Sequence, residues 1–331
     1  MKSLEHYWYQ ANYFIWLLIP VSWLFCAISI LRRKLYQLNL KKSYSSRLPV
    51  VVIGNIVAGG SGKTPLLIAL CELIKEKGYR PGVVSRGYGG TYSGLRLVTD
   101  DDTAELVGDE PLMVQQRTKA PVVVCADRVA AVEYLQSKNA CDIVLSDDGL
   151  QHYRMHRDVE IAVVDAKRRF GNGYCLPAGP LREPLSRLQS VDLVAYNERS
   201  SSAGEACSYT LRITRLYHLK TGESCSLSSF SNKSVHAVAG IGDPARFFSQ
   251  LRENDIDVIS HAFSDHHRYT QDDFSGWRDE CIMMTEKDAV KCRALSLPDA
   301  WVVRVDAELA QSLESQLNSK ILPLLKQQGS Q

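Results

Sequence analysis

Residues 50–65 read Val50-Val51-Val52-Ile53-Gly54-Asn55-Ile56-Val57-Ala58-Gly59-Gly60-Ser61-Gly62-Lys63-Thr64-Pro65, an apolar run followed by a glycine-rich turn ending on Lys-Thr-Pro. The run has the character of a buried strand, and Thr64 to Lys77 is a mostly apolar helix stopped by Gly78. Strand, glycine turn and helix in that order are the setting of a phosphate-binding loop, G-x-x-x-x-G-K-[ST], except that Val57 stands where the first Gly belongs. Gly59, Gly60 and Gly62 keep the freedom that lets backbone N–H groups face an anion at a helix N-terminus. Val57 restrains only the start of the turn, so the stretch reads as a variant loop. Pro65 falls in the first helical turn, where its missing N–H costs nothing. Ala58, Gly59, Gly60, Ser61, Gly62, Lys63, Thr64 and Pro65 are therefore the expected nucleotide site. Lys63 would reach the β- and γ-phosphates, and Thr64 would ligate Mg²⁺.

Working outward, short Val/Ile runs alternate with helical stretches at Val50–Gly54, Gly82–Ser85, Val122–Cys125, Ile143–Leu145, Ile161–Val164 and Leu193–Ala195. Continuous apolar strands of this kind suit a parallel sheet covered on both faces. The expected fold class is α/β: a P-loop NTPase-like doubly wound parallel sheet, a second, smaller α/β domain, and an N-terminal hydrophobic helix. Between Glu198 and Ser234 the pattern turns Ser-rich, with alternation in SYTLRITRLYHL that predicts an antiparallel ribbon or linker strands. VHAVAGIGDP, DVISHAF, CIMMTEKD and AWVVRVDA then supply a second α/β set. The expected segments are a hydrophobic helix at 1–34, a P-loop domain at 35–200, linker strands at 201–234 and the smaller domain at 235–331.

A magnesium site asks for a carboxylate at the end of a neighbouring strand, and CDIVLSDD offers Asp147 and Asp148. An Asx turn before Gly149 is the plainer reading, but beside a phosphate loop the metal reading prevails. Guanine recognition is not expected, because Thr285-Glu286-Lys287-Asp288 carries Glu where the Asn/Thr-Lys-x-Asp pattern has Lys. The expected cofactors are ATP and Mg²⁺. Arg86 and Arg128 follow strand ends, where open α/β sheets bind ligands.

From Ala11 to Leu31 no charged residue occurs, which is long enough for a helix to cross a hydrocarbon core. Pro20 interrupts the run, Tyr7, Trp8, Tyr9, Tyr13, Trp16 and Trp23 suit an interface, and Arg32, Arg33, Lys34, Lys41 and Lys42 follow. These features predict contact with a membrane surface and a cytoplasmic placement of the bulk of the chain. A helix buried on its own domain is the alternative. A cleaved signal peptide is disfavoured, since Glu5 offsets Lys2 and no small-residue cleavage pattern follows. A net charge of +2 over 331 residues gives no reason to expect nucleic acid. The nine cysteines contain no C-x-x-C pair and read as reduced thiols.

In order, GNIVAGGSGKTP, SRGYGG, GDEP, CADR, SDDGLQH, LPAGPLREPLSRL, FSDHHRY and TEKDAVKC closely resemble the tetraacyldisaccharide 4′-kinases, the lipid A 4′-kinases of Gram-negative bacteria. The resemblance runs from the hydrophobic N-terminus to about Lys291. It implies transfer of the ATP γ-phosphate to the 4′-hydroxyl of a tetraacylated glucosamine disaccharide 1-phosphate, at the cytoplasmic face of the inner membrane and with no obligate protein partner. It also implies a catalytic pair, Asp109 as proton acceptor and His266 as the residue that orients it and raises its basicity. On the residues alone, Asp109 is a helix cap and His266 a loop histidine, with His267 a competitor. Arg182 and Glu183 match family positions near the nucleotide, Arg182 against phosphoryl charge and Glu183 assisting magnesium. Arg86 and Arg128 become candidates for the substrate 1-phosphate or the ATP phosphates. Gln151 and His152 would order water or substrate, with packing an equal alternative. The competing reading from another class is a membrane-tethered P-loop ATPase driving a protein partner, and an inactive scaffold is a third.

Overall fold

The apolar runs that marked strands in the sequence are strands because each presents Val and Ile to both faces of a sheet. The computed structural model describes residues 7–9, 15–198 and 207–328, and the expectations resting on Lys2, Glu5, Ala11 and Tyr13 lie outside them. The chain divides into two compact units, one built from residues 1–85, 127–210 and 308–331, the other from 86–126 and 211–307. The units interleave along the chain, whereas the sequence reading drew consecutive segments. The reason is an excursion after Ser85: residues 86–126, expected within the P-loop domain, belong with the later strands, and 308–331 return to the first unit.

In the first unit the strand order is Pro81–Ser85, Ile143–Asp147, Val50–Gly54, Val159–Asp165, Leu193–Glu198 and the start of Ser208–His218, every neighbouring pair parallel. Val50–Gly54, Pro81–Ser85 and Ile143–Asp147 are buried at every position. Helix Lys63–Glu76 buries Leu66, Leu67, Leu70, Cys71 and Ile74, an i, i+3, i+4 apolar stripe. Asp127 caps helix Arg128–Ser137 by accepting from the Val129 N–H.

The N-terminal helix Ile15–Gln37 runs through Pro20 and on through the basic cluster Arg32, Arg33 and Lys34. It is long and apolar enough to cross a membrane. Ile15 and Ile19 pack on Ala178, and Ser22 Oγ donates to the Cys175 carbonyl at 2.6 Å. Trp16, Leu17, Val21, Trp23, Leu24, Ile28 and Leu31 are all more than half exposed, so this is not the core helix of its own unit.

The second unit carries the parallel order Asp257–Ala262, Ser234–Ala239, Ile282–Thr285 and the start of Ala300–Leu309. Phe247, Phe248 and Leu251 cover one face of it, Phe274, Ala289 and Cys292 the other. The ribbon expected from SYTLRITRLYHL is present where Leu216 pairs antiparallel with Cys225. Residues 86–126 contribute the antiparallel pair Arg96–Leu97 and Val122–Val124 and the helix Asp109–Thr118. That helix is tied to helix Glu286–Cys292 and strand Ala300–Leu309 by Arg117, which donates to Glu286 and Asp306.

Candidate active site

The phosphate loop is a shaped concavity. Gly59 and Gly62 take the left-handed region at φ 99° and 86°, and Gly62 precedes helix Lys63–Glu76 with no side-chain cap among the described residues. The first-turn N–H groups are thus left for an anion. The loop is braced from outside: Asn197 Nδ2 donates to the Ser61 carbonyl at 3.1 Å, the Tyr209 hydroxyl to the Gly62 carbonyl at 2.9 Å, and Asn55 Nδ2 to Ser61 Oγ at 3.1 Å. A Cβ on Gly62 would lie 2.3 Å from Asn197 Nδ2. Val57 is extended and bridges antiparallel to Leu181, while the Ala58 N–H donates to the Pro180 carbonyl at 2.8 Å and the Arg182 N–H to the Ile56 carbonyl at 2.7 Å. Where the general pattern has a flexible Gly, this chain has a β-branched residue in a strand-like pairing, which suits its stiffness.

Asp148 lies 3.6 Å from Lys63 Nζ and accepts from Arg182 at 2.8 Å. Burial pushes the Asp148 carboxyl up, but the charges of Lys63, Arg182 and Arg128 outweigh it and leave it below the usual carboxylate range. Asp147 Oδ2 accepts from Ser85 Oγ at 3.5 Å, and its carbonyl from Arg128 at 3.0 Å. Thr64 is buried in the first turn of the helix. The described residues hold no group of three or more carboxylate, His or Cys ligands that could cage a metal. Such a site suits Mg²⁺, which is held through one or two carboxylates, waters and phosphate oxygens, and does not suit a dedicated metal centre.

Glu183, expected to assist the metal, sits in a buried polar network. It is 1% exposed, accepts from Gln151 Nε2 at 2.9 Å and from the Tyr153 hydroxyl, and lies 3.6 Å from Arg187. Both oxygens are engaged by a buried bracing network, which also takes up Gln151, whose amide donates a second time to the Asn55 carbonyl. For Gln151 the packing alternative is what the geometry displays. His152 is half-buried and burial, with Arg128 and Arg157, pushes it down to about 4, so it is neutral. Arg86 is exposed immediately after strand Pro81–Ser85.

The second constellation lies within the other unit. Gly108, at φ 94°, starts helix Asp109–Thr118, and a Cβ there would meet the Tyr88 carbonyl at 2.7 Å. Gly90 abuts the Leu106 carbonyl just as closely, so SRGYGG and GDEP are glycine-rich because their backbones press together. The outcome is a fixed Asp109, 3% exposed, with both carboxylate oxygens 3.0 Å from His266 Nδ1. The Tyr88 ring sits edge-on to the imidazole at 5.0 Å. His267 points elsewhere, 3.4 Å from Asp273 and between Phe263 and Tyr269. The structure therefore brings His266, and not its neighbour, to Asp109.

Two residues escaped the sequence reading although their motif was quoted. Lys287 and Lys291, one turn apart on helix Glu286–Cys292, face this pair: Lys287 Nζ lies 3.5 Å from His266 Nε2, and Lys291 Nζ 3.8 Å from Asp109 Oδ2. Their i, i+4 spacing was the available signal. Burial pushes the Asp109 carboxyl up, but the His266 hydrogen bond and the charges of Lys287, His266 and Lys291 hold it below the usual range. The bond to Asp109 raises His266 against burial and Lys287. A cavity of about 300 Å³ opens onto the pair, lined by Gly89, Asp102, Asp109, His266, Arg268 and Lys291.

Residues 14–322 match the family described as tetraacyldisaccharide-1-P 4′-kinase. The chain belongs to the tetraacyldisaccharide 4′-kinase family. It is 42% identical over 331 residues to the tetraacyldisaccharide 4′-kinase of Methylobacillus flagellatus, covering 99% of this chain and 98% of that one. The tetraacyldisaccharide 4′-kinase of Vibrio cholerae is 44% identical over 335 residues, covering 99% of each. The fold is similar to the crystal structure of "apo" form LpxK from Aquifex aeolicus in complex with ATP, with a TM-score of 0.80, 27% identity, and coverage of 94% of this chain and 99% of that chain. Membership of this kinase family bears out the resemblance read from the ordered motifs, and the P-loop NTPase-like fold expected with it.

Proposed function

We propose that this protein transfers the γ-phosphate of ATP to the 4′-hydroxyl of a tetraacylated glucosamine disaccharide 1-phosphate, working at the cytoplasmic face of the bacterial inner membrane. The observation that carries the reading is a buried, ionised carboxylate, Asp109, held at 3.0 Å by His266 on the wall of a cavity. A sugar hydroxyl needs its proton drawn off as the P–O bond forms, and a fixed carboxylate is the group that does so. Family membership supplies the acceptor, and ATP in the Aquifex aeolicus protein supports the donor.

The loop 58–65 holds the phosphates through backbone N–H groups, and Lys63 and Arg182 place positive charge against the transferred group. Thr64, Asp147 and Asp148 are the residues that would hold Mg²⁺, which when bound neutralises charge on the β- and γ-phosphates. Arg86 and Arg128 remain candidates for phosphate groups of substrate or nucleotide. Asp109 takes the hydroxyl proton. His266 aims it, but an N–H donated to a carboxylate stabilises the ionised form and so makes it a weaker base, the reverse of the basicity gain expected from the resemblance. What the pair gains is a carboxylate that is ionised and correctly directed at every turnover. The exposed apolar face of helix Ile15–Gln37, followed by Arg32, Arg33 and Lys34, supports seating in a membrane with anionic headgroups. A P-loop ATPase acting on a protein has no use for a general base in a second cavity, and is not favoured. Purified protein with Mg-ATP and the lipid disaccharide 1-phosphate should yield a new 4′-phosphomonoester in phosphorus NMR. ATP hydrolysis independent of lipid, with no phospholipid product, would overturn the assignment.

A further inference from the structure

Helix Glu286–Cys292 starts from an N-cap, Thr285, that accepts from the Asp288 N–H, and this start delivers Lys287 to the far edge of the His266 ring. The Lys287 side chain is 12% exposed, and its ammonium has three acceptors in reach: Glu110 Oε1 at 2.9 Å, Asp265 Oδ1 at 2.9 Å and His266 Nε2 at 3.5 Å. Three N–H bonds meet three acceptors. An ammonium has no lone pair, so the nitrogen facing it must present one. If Nε2 carried a proton, that N–H would confront a buried cation. The proton of a neutral His266 therefore belongs on Nδ1, where it is donated to Asp109.

We propose that Lys287 is a positioning residue that sets the tautomer of neutral His266, keeping its proton on Nδ1, so that Asp109 always faces an N–H and never a competing lone pair. The proposal rests on the reading of Asp109 and His266 as the proton-accepting pair. Four further groups surround that pair. Asp265 Oδ2, 3.7 Å from Nε2, pulls toward the imidazolium, and Lys291, 3.8 Å from Asp109, stabilises the carboxylate. The Tyr88 ring lies T-shaped to the imidazole at 5.0 Å. Arg268, on the cavity wall, is paired with Glu105 at 2.8 Å. Lys287 is thus the cation that opposes protonation of His266 directly. Without it, the carboxylates Asp109 and Asp265 would hold the ring as imidazolium to higher pH, and a doubly protonated ring beside Asp109 weakens the base further.

The test uses the full-length enzyme with ¹⁵N-labelled histidine, wild type against Lys287→Met and Lys287→Gln. The wild-type His266 ring should show the Nδ1–H tautomer when neutral. In Lys287→Met its pKa should rise, and the acid limb of kcat should move up by about one pH unit. Turnover measured below the limb then falls by about tenfold while the KM for ATP holds. The Gln amide can donate to Nε2 without charge, so Lys287→Gln should keep the tautomer and recover part of the turnover. An Nε2–H tautomer in the wild type, or a Met variant with an unmoved acid limb, would overturn the proposal. Should the Met variant fail to melt cooperatively, the wild-type tautomer still decides. If Asp109→Asn keeps full turnover while the tautomer is as stated, the fault lies with the catalytic reading and not with the Lys287 assignment.

Discussion

Removing Asp109 and His266 separately and together tests whether they act as a unit. Asp109 is buried, and His266 Nδ1 approaches both of its oxygens at 3.0 Å. In Asp109→Ala the base is gone, and turnover should fall by about 10² or more, near 2.7 kcal/mol of transition-state stabilisation. In His266→Ala the carboxylate survives and stays ionised, since Lys287 and Lys291 still bear on it. Its aim is lost, which should cost about 10 to 10². The double variant should be no worse than Asp109→Ala, because there is nothing left for His266 to aim. Independent contributions would instead multiply to about 10³ to 10⁴. The assay is steady-state turnover on the lipid acceptor with ATP affinity and thermal melting measured in parallel. Multiplicative losses in folded, ATP-binding proteins would refute the dyad, and a loss confined to His267→Ala would show that the geometry had been misread.

Lys63→Ala should abolish transfer at saturating Mg-ATP, since it removes the cation at the start of the loop helix; near-normal turnover would displace the site. Gly62→Ala places a Cβ 2.3 Å from Asn197 Nδ2 at φ 86°, and should lower stability by about 1–3 kcal/mol in chemical denaturation and weaken ATP binding. Asp109 and Asp148 both titrate below the usual carboxylate value of about 3.9. The stability they contribute is complete above that value and lost as pH falls through their lower folded values, so Tm should drop on acidification below about pH 4 and drop less in Asp148→Asn. Replacing the exposed Trp16, Trp23 and Leu24 by Ser should cut sedimentation with anionic vesicles while leaving Tm unchanged, and undiminished binding would shift the anchoring elsewhere.

The phosphate loop was legible because its signal is local: a strand, a turn with three glycines and a Lys-Thr occupy 16 consecutive positions. The same holds for Ile143–Asp147 and for the parallel strands of both units, whose apolar runs announce burial without reference to any neighbour. Asp109 and His266 were not legible from their own surroundings. Their pairing spans 157 positions, and only the ordered motif set pointed to it. Glu183 was legible only in part, since a carboxylate beside an arginine in LREPL gives no hint that its oxygens will meet Gln151 and Tyr153. The interleaved units were hidden for a related reason. A strand run states that it will be covered, not which strands will flank it.

The interleaving also orders events during synthesis. Helix Ile15–Gln37 and the phosphate-loop strand are made before Asp109, and His266 and helix Glu286–Cys292 well after it. Asp109 leaves the ribosome long before the partners that fix it, and until they arrive it is an unpaired acid on a short helix. A nascent chain therefore presents the apolar face of that helix well before the Asp109–His266 pair can form. A ribosome-bound intermediate stalled before residue 266 would carry the exposed apolar helix and the phosphate loop, but no imidazole to hold Asp109.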